Sequence, residues 1–212
     1  MINILIVDEQ ELVRTGLRHI LERDPHIGEI REVSTGELAL AVCRDYQPDV
    51  VLLDLSLPGM SAFEITHRLK RVSGETGIII LAVHAKSPYP NRLLDSGAQG
   101  YLTKDCESGE LLKAVKAVAS GERFLGIEAA KQLALSMFPG TSESPFESLS
   151  ARELEILHKL TEGNRVPEIA RLMCLSPKTV ATYKYRIYEK LGTRSEVGLL
   201  RMAMRHGLLE AV

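Results

Sequence analysis

The chain has 212 residues, 45% of them hydrophobic, which is enough apolar material for one large domain or two smaller ones. No apolar run approaches the ~20 residues that cross a bilayer, and no charged-then-apolar leader precedes Met1-Ile2-Asn3, so a soluble, cytoplasmic protein with no membrane partner is expected. The net charge of −2 is unevenly spread: residues 1–145 carry 15 Lys and Arg against 20 Asp and Glu, whereas residues 146–212 carry 11 against 8, so the two parts are expected to meet different partners. Cys43, Cys106 and Cys174 lack CxxC spacing, which favours reduced thiols over disulfides or zinc.

From the N-terminus, short apolar runs alternate with helical patterns. Ile4–Val7, Ile30–Val33, Val50–Leu53, Ile78–Val83 and Gly100–Leu102 predict strands, and Glu11–Glu22, where Leu12, Leu17, Ile20 and Leu21 share a face, predicts a helix. This alternation implies an α/β domain over residues 1–120, a five-stranded doubly wound parallel sheet with helices on both faces. Its last helix carries Leu111, Leu112, Val115, Val118 and Ala119 and ends near Ser120-Gly121. Residues 121–145 read as a linker with one more amphipathic helix around Ala129–Phe138, closed by the breaker-rich stretch Pro139-Gly140-Thr141-Ser142-Glu143-Ser144-Pro145.

Residues 146–212 show no strand pattern and clear helix punctuation. Ser150-x-x-Glu153 is a capping box opening a helix that stops at Gly163. Pro167 suits the first turn of a second helix bearing Ile169, Ala170, Leu172 and Met173. Ser176-Pro177 starts a third, with Val180, Ile187 and Leu191 apolar and Gly192 as its stop, and a fourth runs from about Ser195 to His206. The short Cys174-Leu175-Ser176 turn between the second and third helices marks a helix-turn-helix.

Three strand ends carry the chemistry. Asp54 closes the run Val50-Val51-Leu52-Leu53 and precedes the turn Pro58-Gly59, Asp8-Glu9 closes Ile4-Leu5-Ile6-Val7, and Lys104 follows Tyr101-Leu102. Ligands of open parallel sheets sit at the carboxyl ends of the strands, so these groups are expected to share one pocket. Singly, each is an ordinary solvated loop charge. Gathered together, carboxylates repel unless a divalent cation and a lysine neutralise them, and Mg2+ suits a site of few carboxylates and many waters. A carboxylate so placed is a nucleophile toward a phosphoryl group, forming an aspartyl phosphate, with the metal and Lys104 balancing the charge on the phosphoryl oxygens. His84, just beyond Ala82, is read as an exposed loop histidine.

These residues carry a resemblance that spans nearly the whole chain. Ile4-Leu5-Ile6-Val7-Asp8-Glu9, Val51-Leu52-Leu53-Asp54-Leu55 with Pro58-Gly59, and Gly100-Tyr101-Leu102-Thr103-Lys104 resemble the flavodoxin-like receiver domain of bacterial two-component response regulators. Leu149-Ser150-x-Arg152-Glu153, Glu168-Ile169-Ala170, Leu175-Ser176-Pro177-Lys178-Thr179-Val180 and Lys190-Leu191-Gly192 resemble the LuxR/NarL type of four-helix DNA-binding domain, and Ser176–Tyr185 is similar in particular to the GacA-like regulators. The resemblance implies Asp54 as phosphoacceptor from a sensor histidine kinase, and Asp8, Glu9 and Asp54 as Mg2+ ligands helped by the backbone carbonyl of Ser56. It further implies Lys104 as partner of the phosphoryl oxygens, and Tyr101 as the switch aromatic that turns inward on activation. One position departs from the pattern: where the family has Ser or Thr at the end of the fourth strand, this chain has Ala82, which has no hydroxyl to bond the phosphoryl group. Losing one charge-assisted hydrogen bond removes ~1.5–3 kcal/mol, comparable with the gap between two switch states.

With Val180, Ile187 and Leu191 turned inward, the third helix offers Lys178, Thr182 and Tyr185 to base edges and Lys184, Arg186 and Lys190 to phosphates of double-stranded promoter DNA, with Thr179 and Ala181 also on its DNA-binding side and an ordinary solvated surface as the rival reading of Lys190. Tyr183 is expected to pack on the core. The resemblance places a homodimer contact on the last helix, around Val197, Leu200 and Ala203, with the domain's own core as the alternative place for these residues. The leading expectation is a transcription factor, not an enzyme, gated by phosphorylation at Asp54. The alternative is the same fold with a weakened or phosphate-independent switch, its receiver serving mainly for dimerisation or docking. A metal-dependent phosphohydrolase also uses an Asp nucleophile, but it requires a second Asp two residues later, where this chain has Ser56.

Overall fold

The computed structural model describes residues 1–83, 89–136 and 144–206. They form two compact units, the first ending at Leu135 and the second beginning at Ser136. His84, Phe138 and most of the Pro139–Pro145 stretch, through residue 143, lie outside the described residues.

The first unit alternates β1 (Ile2–Val7), α1 (Glu11–Leu21), β2 (Ile27–Val33), α2 (Gly36–Tyr46), β3 (Val50–Asp54), α3 (Ala62–Val72), β4 (Gly77–Ala82), α4 (Tyr89–Asp95), β5 (Gly100–Thr103), α5 (Ser108–Ala119), β6 (Phe124–Leu125) and α6 (Ile127–Ser136). The strands lie in the order β2-β1-β3-β4-β5-β6 and pair in parallel throughout. This is the expected doubly wound sheet with a two-residue sixth strand added at its edge. All of β3, β4 and β5 is buried. Helices therefore cover both faces of these strands, and such strands read as unbroken apolar runs rather than alternating ones.

Caps start the helices where the sheet needs them. The Thr35 hydroxyl accepts from the Leu38 N–H, and the Ser61 hydroxyl from the Glu64 N–H. Close packing holds β4 down: a Cβ at Gly77 would lie 2.3 Å from the Val118 side chain on α5, so only glycine fits there. Around Ile4, Ile6, Leu52, Ile79, Leu102 and Val115 one apolar cluster fills the space between sheet and helices.

The second unit begins with a single 3-10 turn, Pro145–Ser148, and continues as α7 (Ala151–Thr161), α8 (Val166–Leu172), α9 (Pro177–Leu191) and α10 (Glu196–Arg205). The expected capping box is present, with Ser150 Oγ accepting from the Glu153 N–H and the Glu153 carboxylate accepting from the Ser150 N–H. Ser176 caps α9, Ser195 caps α10, and Gly192 ends α9 in the left-handed conformation at φ +64°. Cys174, in the turn between α8 and α9, adopts φ +52° although it is not glycine. Phe146, Leu154, Ile169, Val180, Ile187 and Leu199 are buried together and orient α9 by its inward face. Among the described residues no helix is long and apolar enough to cross a membrane.

Candidate functional site

The chain order reverses direction across the sheet between β1 and β3, the point where doubly wound sheets open a crevice at the strand ends. Asp8 follows the last residue of β1 and Asp54 is the last residue of β3, so both carboxylates arrive at that crevice. Lys104 follows β5, and its backbone N–H donates to the Ala82 carbonyl at 2.7 Å, which fixes it beside the end of β4. Its ammonium stands 2.7 Å from Asp8 Oδ2 and 2.9 Å from Asp54 Oδ1. The side chains are 1% (Asp8), 3% (Asp54) and 18% (Lys104) exposed. Residues separated by nearly a hundred positions in sequence thus form one buried ionic cluster, as the strand-end charges led us to expect.

Backbone groups complete the cluster. The Gln10 N–H donates to Asp8 Oδ1 at 2.9 Å, and the Ser56 N–H donates to the Asp54 carboxylate. Asp8 Oδ2 and Asp54 Oδ1 are the oxygens that face Lys104, which meets both as an ion pair. Two carboxylates against one ammonium leave an excess of one negative charge, and such a charge held out of water calls for a further cation. That excess fits a hard divalent ion with oxygen ligands.

Of the three expected metal-binding carboxylates, the structure brings two together. Glu9 is exposed, and among the described residues no three His, Cys, Asp or Glu side chains come together as a metal-holding group. Glu9 lies one residue further past the strand than Asp8, where the chain has already turned toward α1. Only Asp8 and Asp54 are assembled. Ser56 is exposed in the turn after β3.

Burial pushes the Asp54 carboxyl above the usual carboxylate range, an effect that the nearby Lys104 ammonium offsets only in part. Burial also disfavours the Lys104 ammonium, but the two facing carboxylates outweigh it and hold this lysine above its ordinary value. Lys104 is therefore charged at any physiological pH. Asp54, by contrast, carries its charge at a cost that a bound cation relieves.

Ala82 is 1% exposed at the end of β4 and presents a methyl group where a hydroxyl was to be expected. Tyr101 is fully buried in β5, in register with Ile80 on one side and Leu125 of β6 on the other. Two residues that the strand-end pattern did not single out also reach the site. Arg14 of α1 bonds the backbone of the acidic turn, and Glu32 of β2 holds Arg14. On sequence they look like charges on a solvated helix face and a strand edge.

In the second unit, α9 exposes Lys178, Ala181, Thr182, Tyr185 and Arg186, while Val180, Ile187 and Leu191 are buried. Tyr185 is 69% exposed, a large aromatic surface left in water. Thr182 donates its hydroxyl proton to the Lys178 carbonyl, and the Thr179 hydroxyl pairs with Ser176 Oγ at 2.8 Å. Tyr183 packs against the core as expected, with the Arg186 guanidinium 5.9 Å from its ring centroid.

Other expected site residues of this unit have partners within it. Lys190 donates to Glu153 at 2.7 Å and to the Ser148 carbonyl at 3.1 Å, tying the end of α9 to the α7 capping box. Lys184 pairs with Glu196 of α10. A phosphate contact by either lysine requires surrendering that bond. Ala203, expected at a dimer contact, is fully buried in the domain's own core, because it follows Leu199 by one helical turn on the inward face of α10. Val197 is 60% exposed and Leu200 half-buried, so the outward side of α10 keeps apolar surface.

Comparison with known proteins finds a family match on each unit. The family described as "Response regulator receiver domain" matches residues 4–116, and "Bacterial regulatory proteins, luxR family" matches residues 147–203. The response regulator UvrY of Escherichia coli is 44% identical over 212 residues, covering all of this chain and 97% of the relative. The response regulator GacA of Pseudomonas aeruginosa is 40% identical over 212 residues, covering all of this chain and 99% of that one. Among solved structures, RcsB from Salmonella enterica serovar Typhimurium, bound to a promoter in the presence of the phosphomimetic BeF3-, superposes with a TM-score of 0.79 at 25% identity over 95% of this chain and 97% of that one. With an acidic crevice at the sheet's switch point in one unit and a capped, basic recognition helix in the other, the chain belongs to the response regulators that join a receiver domain to a luxR-family DNA-binding domain.

Proposed function

We propose that Asp54 accepts a phosphoryl group from a sensor histidine kinase and that this modification governs how the second unit binds promoter DNA as a homodimer. One observation carries the reading: two buried carboxylates share a single lysine at the strand-end crevice, which leaves one negative charge uncompensated. In the transfer, an Asp54 carboxylate oxygen attacks phosphorus, a P–O bond forms, and the P–N bond to the kinase imidazole breaks with its electron pair returning to the ring. Lys104, held 2.9 Å from Asp54 Oδ1, stays in reach of the phosphoryl oxygens and offsets their charge. Asp8, Asp54 and the Ser56 carbonyl would hold Mg2+, which when bound supplies the remaining positive charge that the phosphoryl oxygens require.

On the DNA side, α9 enters the major groove with Lys178, Ala181, Thr182 and Tyr185 toward base edges, while Arg186 contacts phosphate. Thr179 is given over to the cap and orients the start of the helix. Val197 and Leu200 supply apolar surface for pairing two copies, and two copies double the number of base pairs read.

A second reading is favoured by a specific pair of residues. Tyr101 is fully buried, the inward position that the resemblance associates with activation, and Ala82 offers no hydroxyl to bind the phosphoryl group. On this reading the receiver docks or dimerises with little response to phosphate. Incubation with acetyl phosphate and Mg2+, followed by intact mass, tests the first reading: one phosphoryl group per chain is expected, absent in Asp54→Asn and without Mg2+. An unmodified wild type, or equal modification of Asp54→Asn, overturns it. Modification of Asp54 with no change in DNA affinity supports the second reading.

A further inference from the structure

The acidic turn after β1 is held by a fork from α1. Arg14 Nη1 donates to the Asp8 carbonyl at 2.8 Å and to the Glu9 carbonyl at 3.1 Å, and its Nε lies 3.3 Å from Glu32 Oε2 on β2. The side chain is 16% exposed, so these bonds form largely out of water. The same turn is pinned from inside, where the Asp8 N–H donates to the Val33 carbonyl at 3.2 Å and the Gln10 N–H to Asp8 Oδ1 at 2.9 Å. Backbone and carboxylate of Asp8 are thus fixed by separate groups. Arg14 holds the main chain, and Gln10 and Lys104 hold the two carboxylate oxygens.

Arg18, one turn further along α1, provides an internal comparison. It also pairs with Glu32, and it donates to the Ile30 carbonyl at 3.0 Å and pairs with Glu22 at 3.5 Å. None of its bonds reaches the acidic turn. Both arginines tie α1 to β2, but only Arg14 extends the tie to the residues at the crevice.

We propose that Arg14 is a positioning residue of the receiver, which presents Asp8 to the divalent cation by clamping the carbonyls of Asp8 and Glu9 against Glu32. The proposal rests on the magnesium reading given above. The device needs arginine specifically. A guanidinium donates to several acceptors from one rigid plane, whereas a lysine ammonium is a compact, strongly hydrated point charge that cannot span two carbonyls and Glu32 together. Groups that orient a metal ligand from behind it commonly change metal affinity 10–100-fold when removed, although they never touch the ion. Arg14→Lys is the informative change because it keeps the positive charge and loses only the fork. Loss of the charge would by itself favour a cation, so a weakened response in Arg14→Lys has to come from lost orientation.

The test uses the full chain and two readouts of the metal alone: the Mg2+-dependent rise in Tm, and Mg2+-induced amide shifts at Asp8, Glu9 and Asp54. Wild type is expected to titrate in both. Arg14→Lys is expected to need about tenfold more Mg2+ while its Tm without metal stays close to that of wild type. Arg18→Lys, equally placed on Glu32, is expected to titrate like wild type. An Arg14→Lys chain with wild-type Mg2+ dependence overturns the inference, as does an equal weakening in Arg18→Lys, which would assign the effect to the general α1–β2 tie. A wild type that ignores Mg2+ in both readouts overturns this inference together with the reading on which it rests.

Discussion

In the receiver, the side chains of Asp8, Asp54 and Lys104 face one another at 1, 3 and 18% exposure, whereas on α9 the side chains of Lys178, Tyr185 and Arg186 stand in water. Lys178 makes no ion pair among the described residues, while Lys104 makes two. The two regions therefore use charge in opposite ways. Inside the crevice, charges act at short range, screened little by salt, and their imbalance leaves one negative charge in excess. On α9, charges act on a partner that brings its own counterions, so their effect is spread over many contacts and falls with salt. A regulator needs both: a local event with a sharp threshold, and a graded grip that the event can turn up or down.

The comparison breaks most completely at Asp54. Asp54→Asn is expected to lower acetyl phosphate labelling at least about a hundredfold, since it removes the carboxylate proposed as the nucleophile. Intact mass reads the loss. The same change is expected to raise stability at neutral pH. With its pKa above the usual range, folded Asp54 binds more protons than unfolded Asp54 between the ordinary and the raised value, so stability falls as pH rises through that window. Asn has no such slope, and urea unfolding across acidic pH should show the variant's advantage vanish below the ordinary carboxylate range.

Lys104→Met comes next. It leaves two buried carboxylates without a partner and is expected to cost about 3 kcal/mol of unfolding free energy at pH 7. The deficit should shrink as pH falls and Asp54 takes up its proton, and a deficit independent of pH would point to lost packing instead. On α9, Lys178→Ala and Tyr185→Ala are each expected to weaken operator binding by roughly 1–3 kcal/mol and to relax preference at one base pair. Arg186→Gln should instead weaken all sequences alike and reduce the salt slope by about one. If Arg186→Gln changed sequence preference, the division between base and phosphate contacts on this helix would be wrong.

The smallest and sharpest change is Ala82→Thr. Supplying the missing hydroxyl should widen the gap in DNA affinity between phosphorylated and unphosphorylated chains by about 1.5 kcal/mol, roughly tenfold. No widening would show that Ala82 is not what separates this switch from its relatives.

How much of this could be read beforehand depends on the distance over which residues act. The strands announced themselves because β3, β4 and β5 are buried on both faces and so read as continuous apolar runs. Phe124–Leu125 is too short to show any period, and pairing with β5, which no local pattern records, is what makes it a strand. Asp8, Asp54 and Lys104 stood out as charges at the ends of apolar runs. Arg14 and Glu32 did not, because an arginine on an amphipathic helix looks solvated until the strand it faces is known. The bond of Lys190 to Glu153 was hidden for the same reason, since its partner is 37 residues away in sequence. Ala203 was within reach, since Leu199 one turn earlier already marks the inward side of α10.

On the proposed function, the charge state of the buried crevice sets how tightly α9 grips DNA. DNA affinity of a single preparation before and after acetyl phosphate treatment, at fixed salt and Mg2+, with Asp54→Asn treated in parallel, reads this coupling. A tighter complex is expected for the modified wild type and no change for Asp54→Asn. Identical affinities before and after full modification of Asp54, or an equal shift in Asp54→Asn, would contradict it.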